Sequence, residues 1–161
     1  MTSHLVSPAA ARQLTEADLR ELSDLVHRYA AEVDDRHLAE VAALFCADGV
    51  LVAPAGPGGS ALAEHVGRQS VESALTAVSA LTATFHAVVG VVLVASATDD
   101  EATGRIACIA HHVVRGAEHD YDEVWHLVYR DCYRRTPSGW RFARRAIELG
   151  FVESRRVRLT S

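Results

Sequence analysis

The sequence predicts an α+β fold, with helices in the first half of the chain and a long antiparallel sheet in the second. Two observations carry this prediction. From Leu19 onwards, apolar residues recur at three- and four-residue steps, as in an amphipathic helix. After residue 81 the chain becomes four runs rich in valine and aromatic residues, separated by short polar turns. Helices followed by such strands favour a sheet with the helices packed on one face.

The length of 161 residues favours one domain. We expect a loose N-terminal arm over residues 1–13, the domain over residues 14–153 and a C-terminal tail over residues 154–161. The tail prediction follows from an arginine cluster near the C-terminus, interrupted by glutamates, which is typical of a solvated segment. That cluster contains Arg141, Arg144, Arg145, Arg155, Arg156 and Arg158.

The first helix is predicted to begin after Thr15, whose hydroxyl is a favourable N-cap, with acids following in the first turn. Its apolar stripe comprises Leu19, Leu22, Val26, Tyr29 and Val33. Asp34 or Asp35 is expected to cap a second, short helix that carries Leu38, Val41, Leu44 and Phe45.

Asp48-Gly49 is expected to end that second helix. A brief strand over residues 50–52 and a glycine- and proline-rich loop over residues 54–59 follow. A third helix is predicted from Arg68 to Ala80. The four strand-like runs cover residues 82–97, 102–115, 121–135 and 140–152, and their short connections imply antiparallel pairing.

Composition excludes some functional classes. The formal net charge of −5 and the pI of about 6.0 argue against a nucleic-acid partner, which would favour a basic face. No apolar run is long enough to span a membrane. Three widely spread cysteines without a CxxC spacing fit a reducing cytoplasm, so we expect a cytoplasmic protein.

Five short motifs occur in a characteristic order. They are Tyr29-Ala-Ala-Glu-Val-Asp34-Asp-Arg, Ala43-Leu-Phe-Cys-Ala-Asp48-Gly, Thr84-Phe-His86, Tyr129-Arg-Asp131 and Gly139-Trp140-Arg-Phe-Ala-Arg144-Arg145. Together they resemble the SnoaL-like branch of the nuclear-transport-factor-2-like superfamily, from about Thr15 to Val152. The resemblance implies a cone-shaped α+β barrel, in which a curved sheet wraps around the helices and encloses a mostly apolar pocket.

The resemblance also implies a chemistry. Related enzymes include scytalone dehydratase, bile acid dehydratases, a dehydrochlorinase, steroid isomerases and polyketide cyclases. In dehydratase-like members an acid at the end of the first helix pairs with a histidine on the first long strand, and those positions match Asp34 and His86. The tyrosine five residues before the acid matches Tyr29. A polar group on the following strand matches His111 or His112.

The residues themselves leave alternatives open. Asp34 also fits the N-cap of the second helix, and His86 also fits a core histidine that is satisfied by backbone groups. Tyr29 lies on the apolar stripe, so we expect its ring in the core and its hydroxyl to seek a partner. Strand alternation sends one of His111 and His112 inward, and we favour His112 because Arg105 and Arg115 share the parity of His111.

We therefore expect a cofactor-independent lyase, dehydratase-like, in which His86, oriented by Asp34, removes a proton from a small, apolar, oxygenated substrate. Tyr29 or His112 would then donate a proton to the departing hydroxyl or stabilise the enolate oxygen. The alternatives are an isomerase, a polyketide-type cyclase or an epoxide hydrolase with the same parts, or a non-catalytic ligand-binding module. No histidine pair has a recognisable metal-ligand spacing, so no metal is expected. Valine and isoleucine on the outer face of the sheet suggest a homodimer. The expected pocket wall is Phe45, Phe85, Trp125 and Phe142.

Overall fold

A computed structural model describes residues 13–55 and 61–159 of the chain. All of the predicted N-terminal arm except Gln13, and most of the glycine- and proline-rich loop, lie outside these residues. The elements run in the order α1 (Glu16–Asp34), α2 (Leu38–Ala43), β1 (Phe45–Pro54), β2 (Leu62–Val66), α3 (Arg68–Leu75), a 3-10 turn (Thr76–Ala80), β3 (Ala83–Ala95), β4 (Glu101–Val114), β5 (Asp120–Thr136) and β6 (Gly139–Val157). The α+β class is confirmed.

The strands form one curved, unclosed sheet in the order β2-β1-β6-β5-β4-β3. The three long hairpin pairings, β3–β4, β4–β5 and β5–β6, are antiparallel, as predicted. β1 pairs with β6 in parallel, so the sheet is not antiparallel throughout; the antiparallel prediction from short connections covered the four runs after residue 81. These two strands are far apart in the sequence, so no tight turn links them and either direction is possible. Register shifts in β3–β4 and β5–β6 mark bulges, which bend the strands.

α1 begins as the sequence predicts. The Thr15 hydroxyl accepts a hydrogen bond from the Asp18 backbone N–H, and the Asp18 carboxylate accepts one from the Thr15 backbone N–H, each at 3.1 Å. This capping box satisfies two N–H groups that the helix itself leaves free. The buried stripe includes Leu22, Val26 and Val33, but Leu19 is 42% exposed and does not belong to it. The helix packs against β3 and β6, which positions its C-terminal end beside the sheet.

The segment after α1 differs from the prediction. α2 follows His37 without a side-chain cap, so neither Asp34 nor Asp35 caps it. Phe45 starts β1 instead of ending α2, and β1 continues through Asp48-Gly49. A Cβ atom at Gly49 would lie 2.9 Å from the Phe142 carbonyl oxygen and 2.9 Å from the Phe45 Cβ atom. This glycine therefore serves a close backbone approach within the sheet, and it does not end a helix.

Three further boundaries differ. The third helix ends at Leu75 and continues as a 3-10 turn, and the short strand β2 was not predicted. β6 extends five residues past Val152, into the predicted tail, because it pairs with the start of β5. The core lies between the helices and the inner face of the sheet, where Leu22, Phe45, Ile106 and Phe142 are fully buried. Among the described residues, no helix has the length and apolar character needed to cross a membrane.

Candidate active site

Asp34 and His86 are hydrogen-bonded to each other in two ways. Oδ1 of Asp34 lies 2.7 Å from Nδ1 of His86, and Oδ2 accepts the His86 backbone N–H at 2.8 Å. The His86 side chain is 8% exposed and that of Asp34 19% exposed, so the contact is shielded from water. The last residue of α1 therefore fixes both the backbone and the ring of a residue on β3. This geometry excludes the alternative of a histidine satisfied only by backbone groups.

The electrostatics of the pair define its proton arrangement. Burial tends to raise the pKa of Asp34, but the ring and backbone N–H groups of His86 outweigh it and hold that pKa below its ordinary value. An ionised carboxylate only accepts hydrogen bonds, so Nδ1 of His86 carries the hydrogen. The remaining ring nitrogen, Nε2, is then the one that can take up a proton.

His112 lies beside His86 on the inner face, as strand alternation predicts. The two imidazole rings meet edge to face with centroids 5.6 Å apart, and the centroid of the Trp125 ring lies 4.8 Å from that of His112. Burial, with the neighbouring His86, lowers the pKa of His112 to about 4. Its ring is therefore neutral at physiological pH. Its Nδ1 atom is buried without a hydrogen-bond partner, which leaves an unused polar atom next to His86.

The residue His111 belongs to a second histidine–carboxylate pair, on the outer face. Its Nδ1 atom lies 2.7 Å from Oδ2 of Asp122, which Arg155 also contacts at 3.1 Å. The distance matches that of the Asp34–His86 pair, but the setting differs because His111 faces away from the helices. Of the two adjacent histidines, His112 is therefore the one whose side chain faces inward with that of His86.

Tyr29 lies in a cluster of rings around Arg145. The Arg145 guanidinium lies 4.2 Å from the centres of the Tyr29 and Tyr129 rings and 4.1 Å from that of Phe142. Burial raises the pKa of Tyr29 to about 12, so its hydroxyl stays protonated. Its ring is in the core, as expected, and its aromatic contacts are with Phe45, Tyr129 and Phe142 rather than with His86.

Arg145 was missed as a core residue. Predicted as part of a solvated cluster, it is instead fully buried and forms two hydrogen bonds with Asp131, at 2.9 and 2.7 Å. Tyr133 donates a third hydrogen bond to that carboxylate. A bulge between Cys132 and Tyr133 shifts the register by one residue, which brings Arg145 opposite Asp131. The buried cation is stabilised both by its counter-charge and by the ring faces.

The four predicted pocket-wall residues lie in three different places. Trp125 packs against His112, so it adjoins the candidate site. Phe45 and Phe142 are fully buried against each other, with ring centres 5.1 Å apart, and form core rather than an accessible wall. Phe85 points to the outer face and is 62% exposed, because adjacent strand residues alternate and His86 points inward. In the described part of the chain, no three metal-ligating side chains come together.

The geometry defines a class: a curved sheet around helices, with a histidine–carboxylate pair between the first helix and the first long strand. Solved structures of similar fold include a provisionally named scytalone dehydratase from Novosphingobium aromaticivorans, 22% identical, with a TM-score of 0.72 over 88% of this chain and 90% of that one. Kfla4162 from Kribbella flavida is 24% identical, with a TM-score of 0.73 over 86% and 94% of the two chains.

The hexachlorocyclohexane dehydrochlorinase LinA, type 2, is 17% identical, with a TM-score of 0.71 over 86% and 88% of the two chains. No curated protein sequence matches this chain significantly. The model of the SnoaL-like domain matches residues 15–146, and the chain belongs to this family. At these identities the structural neighbours establish the nuclear-transport-factor-2-like, or cystatin-like, fold.

Proposed function

We propose that the chain is a cofactor-independent lyase of the dehydratase kind, with His86 as the base and Asp34 as the group that orients it. The observation that carries this proposal is the 2.7 Å contact between Asp34 Oδ1 and His86 Nδ1. The carboxylate fixes the ring orientation and stabilises the imidazolium that forms when Nε2 takes a proton. A positioned base of this type contributes ~10²–10⁴ to the rate.

The proposed reaction is loss of water from a small β-hydroxy carbonyl compound. His86 removes the proton next to the carbonyl, and the C–H electron pair forms the new double bond as the C–O bond breaks. The pKa of His112 is lowered to about 4, so at physiological pH its ring is neutral and has no imidazolium proton to give. The imidazolium of His86 therefore returns its proton to the departing hydroxyl, which leaves as water, and the enzyme is regenerated.

His112 has a different role in this proposal. As a neutral imidazole it donates an N–H to the carbonyl oxygen, where negative charge develops in the transition state. Its place beside His86, with an unpartnered Nδ1 atom, supports this role. The Tyr29 ring packs against the Arg145 guanidinium in the core, with 4.2 Å between the guanidinium and the ring centre, so we assign Tyr29 a structural role in place of the expected proton donation. Trp125 supplies an apolar wall against His112.

The names of two related structures, a dehydratase and a dehydrochlorinase, both denote eliminations, which agrees with this proposal. The same residues are also suited to catalyse isomerisation, cyclisation or epoxide opening, and the identity of the product distinguishes these reactions. The test is incubation with a panel of β-hydroxy ketones, read by mass spectrometry. We expect loss of water by the wild type and none by His86→Ala. Unchanged water loss by a folded His86→Ala would refute the proposal, and binding without turnover by the wild type would favour a ligand-binding module.

We also propose that the outer face of the sheet contacts a second copy of the chain. Val92, Val94 and Phe151 are each more than half exposed there. Two concave regions of about 350 and 510 Å³ open on this face, and neither is lined by Asp34 or His86. An apolar sheet face of this kind is typical of an interface between copies.

A further inference from the structure

Arg36 has an unusual backbone conformation directly after α1. Its φ angle is +65°, and it is the one non-glycine residue with positive φ in the described ranges, 13–55 and 61–159. The Arg36 N–H donates to the Val33 carbonyl at 3.2 Å, and the His37 N–H donates to the Glu32 carbonyl at 2.9 Å. This is a Schellman ending, in which glycine usually occupies the left-handed position. An arginine there carries a steric cost that its side chain must offset.

The Arg36 side chain turns back onto the end of the helix. Its Nη1 atom lies 3.0 Å from the carbonyl oxygen of Val33 and 3.1 Å from that of Asp34. These carbonyls belong to the last turn, where α1 has no basic residue of its own. A guanidinium at this end complements the negative pole of the helix. Arg36 therefore holds Asp34, which carries the candidate orienting carboxylate, through the Asp34 backbone oxygen.

The same Nη1 atom reaches the neighbouring strand, where it donates to the hydroxyl oxygen of Thr84 at 2.5 Å. Thr84 lies two residues before His86 on β3, so both side chains point to the same face. Because its oxygen accepts from Arg36, the hydroxyl hydrogen of Thr84 is free to donate elsewhere. After the larger contributions of the His86 groups, the Thr84 hydroxyl also helps to hold the pKa of Asp34 below its ordinary value.

We propose that Arg36 is a positioning residue for the Asp34–His86 pair. Its guanidinium joins the end of α1 to β3 and orients the Thr84 hydroxyl towards the Asp34 carboxylate. That carboxylate then meets the ring and the backbone N–H of His86 together, at 2.7 and 2.8 Å. The inference rests on the proposed function, because positioning matters only if the pair transfers protons. It explains why an arginine is found where glycine is easier to accommodate.

The test does not require the substrate, because the ring hydrogen of His86 reports on the pair. The measurement is ¹⁵N NMR of the imidazoles at about pH 9, well above the ordinary histidine pKa of ~6.5. His86→Gln identifies the His86 signals, and Asp34→Asn shows the uncoupled ring. In the wild type we expect the hydrogen on Nδ1. Arg36→Gly keeps the favourable left-handed position and removes only the side chain, so we expect a urea midpoint near that of the wild type.

The expected result is that the His86 signals of Arg36→Gly move from the wild-type values towards those of Asp34→Asn. Thr84→Val, which lacks the hydroxyl but keeps the shape, should move them in the same direction, and Thr84→Ser should not. Arg28→Ala removes an exposed guanidinium from the same helix and is the matched control, with wild-type signals. Wild-type signals in both Arg36→Gly and Thr84→Val would overturn the positioning role alone. Identical signals in the wild type and Asp34→Asn would overturn the proposed function as well.

Discussion

The imidazole of His112 meets that of His86 edge to face, with ring centres 5.6 Å apart, on the inner face of the sheet. Of these two rings, only that of His86 is hydrogen-bonded to a carboxylate. Oδ1 of Asp34 contacts the ring, and Oδ2 accepts the His86 backbone N–H. The two histidines therefore have different proton chemistry although they are neighbours. In the proposed reaction His86 takes up the proton, whereas His112 stays neutral and contributes through hydrogen bonding.

This difference predicts a pH dependence of stability. The pKa of His112 falls from 6.5 in the unfolded chain to about 4 in the fold. Between these values the unfolded chain binds more protons, so the free energy of unfolding decreases as the pH falls from about 6.5 to 4. The ring is partly exposed, and the loss at pH 4 should be on the order of 1–3 kcal/mol. Urea unfolding of wild type and His112→Asn at several pH values measures it. An identical pH dependence in the two proteins would contradict this assignment.

The buried pair of Arg145 and Asp131 predicts a large loss of stability when it is broken. Both side chains are almost fully buried, at 1% and 0% exposure. Asp131→Asn leaves the guanidinium without its counter-charge, which typically costs ~3–5 kcal/mol. The exposed pair of Arg130 and Glu148, on the same strands, provides the control. Glu148→Gln should cost less than ~1 kcal/mol. Urea unfolding compares the two variants, and equal losses would show that the burial of the Arg145 pair has no energetic consequence.

The N-terminal capping box predicts a smaller effect. Thr15→Ala removes the hydroxyl that accepts the Asp18 N–H. The expected loss is ~1 kcal/mol in the free energy of unfolding, because one N–H group of the first turn loses its partner. Thr15→Ser keeps the hydroxyl and should retain most of the stability. Thermal or urea unfolding of the three proteins checks this. An alanine variant as stable as the wild type would mean that the cap contributes nothing.

If copies of the chain associate through the outer face of the sheet, a substitution on that face should change the molecular mass in solution. Val92→Lys places a charge on the exposed apolar strand β3, and desolvating that charge in an interface is costly. If copies of the chain associate through this face, light scattering at micromolar concentration should detect the wild type as an oligomer and Val92→Lys as a monomer. Leu19→Lys is the control, because Leu19 is also exposed but lies on α1. A monomeric wild type would refute the proposed contact.

Local patterns predicted much of the fold. The N-cap and first-turn acids specify the start of α1, and alternation along β4 predicts that His112 faces inward with Ile106 and Cys108. The long hairpin strands were also predicted to within a few residues, apart from the extension of β6. These features depend on neighbours in the sequence, where propensity and period are informative.

Features that depend on pairing between segments far apart in the sequence could not be predicted. The parallel pairing of β1 with β6 joins residues 94 to 97 positions apart, and no turn fixes its direction. Without the bulge near Cys132, Asp131 would face Arg144; with it, Asp131 binds Arg145, so one extra residue decides which arginine is buried. For the site, the resemblance supplied Asp34 and His86. The positive φ angle of Arg36 could not be predicted from the sequence, because such an angle is expected at glycine and not at arginine.

The proposed reaction requires His86, oriented by Asp34, to remove a proton from carbon. The most direct measurement is exchange of the α-hydrogens of small cyclic ketones in D₂O, followed by ¹H NMR. We predict exchange by the wild type and by His111→Ala, whose histidine has the same 2.7 Å carboxylate contact but lies on the outer face. Asp34→Asn and His86→Ala should lose ~10²-fold or more of the rate. Wild-type exchange by a folded His86→Ala, or equal losses in His86→Ala and His111→Ala, would show that His86 is not the base.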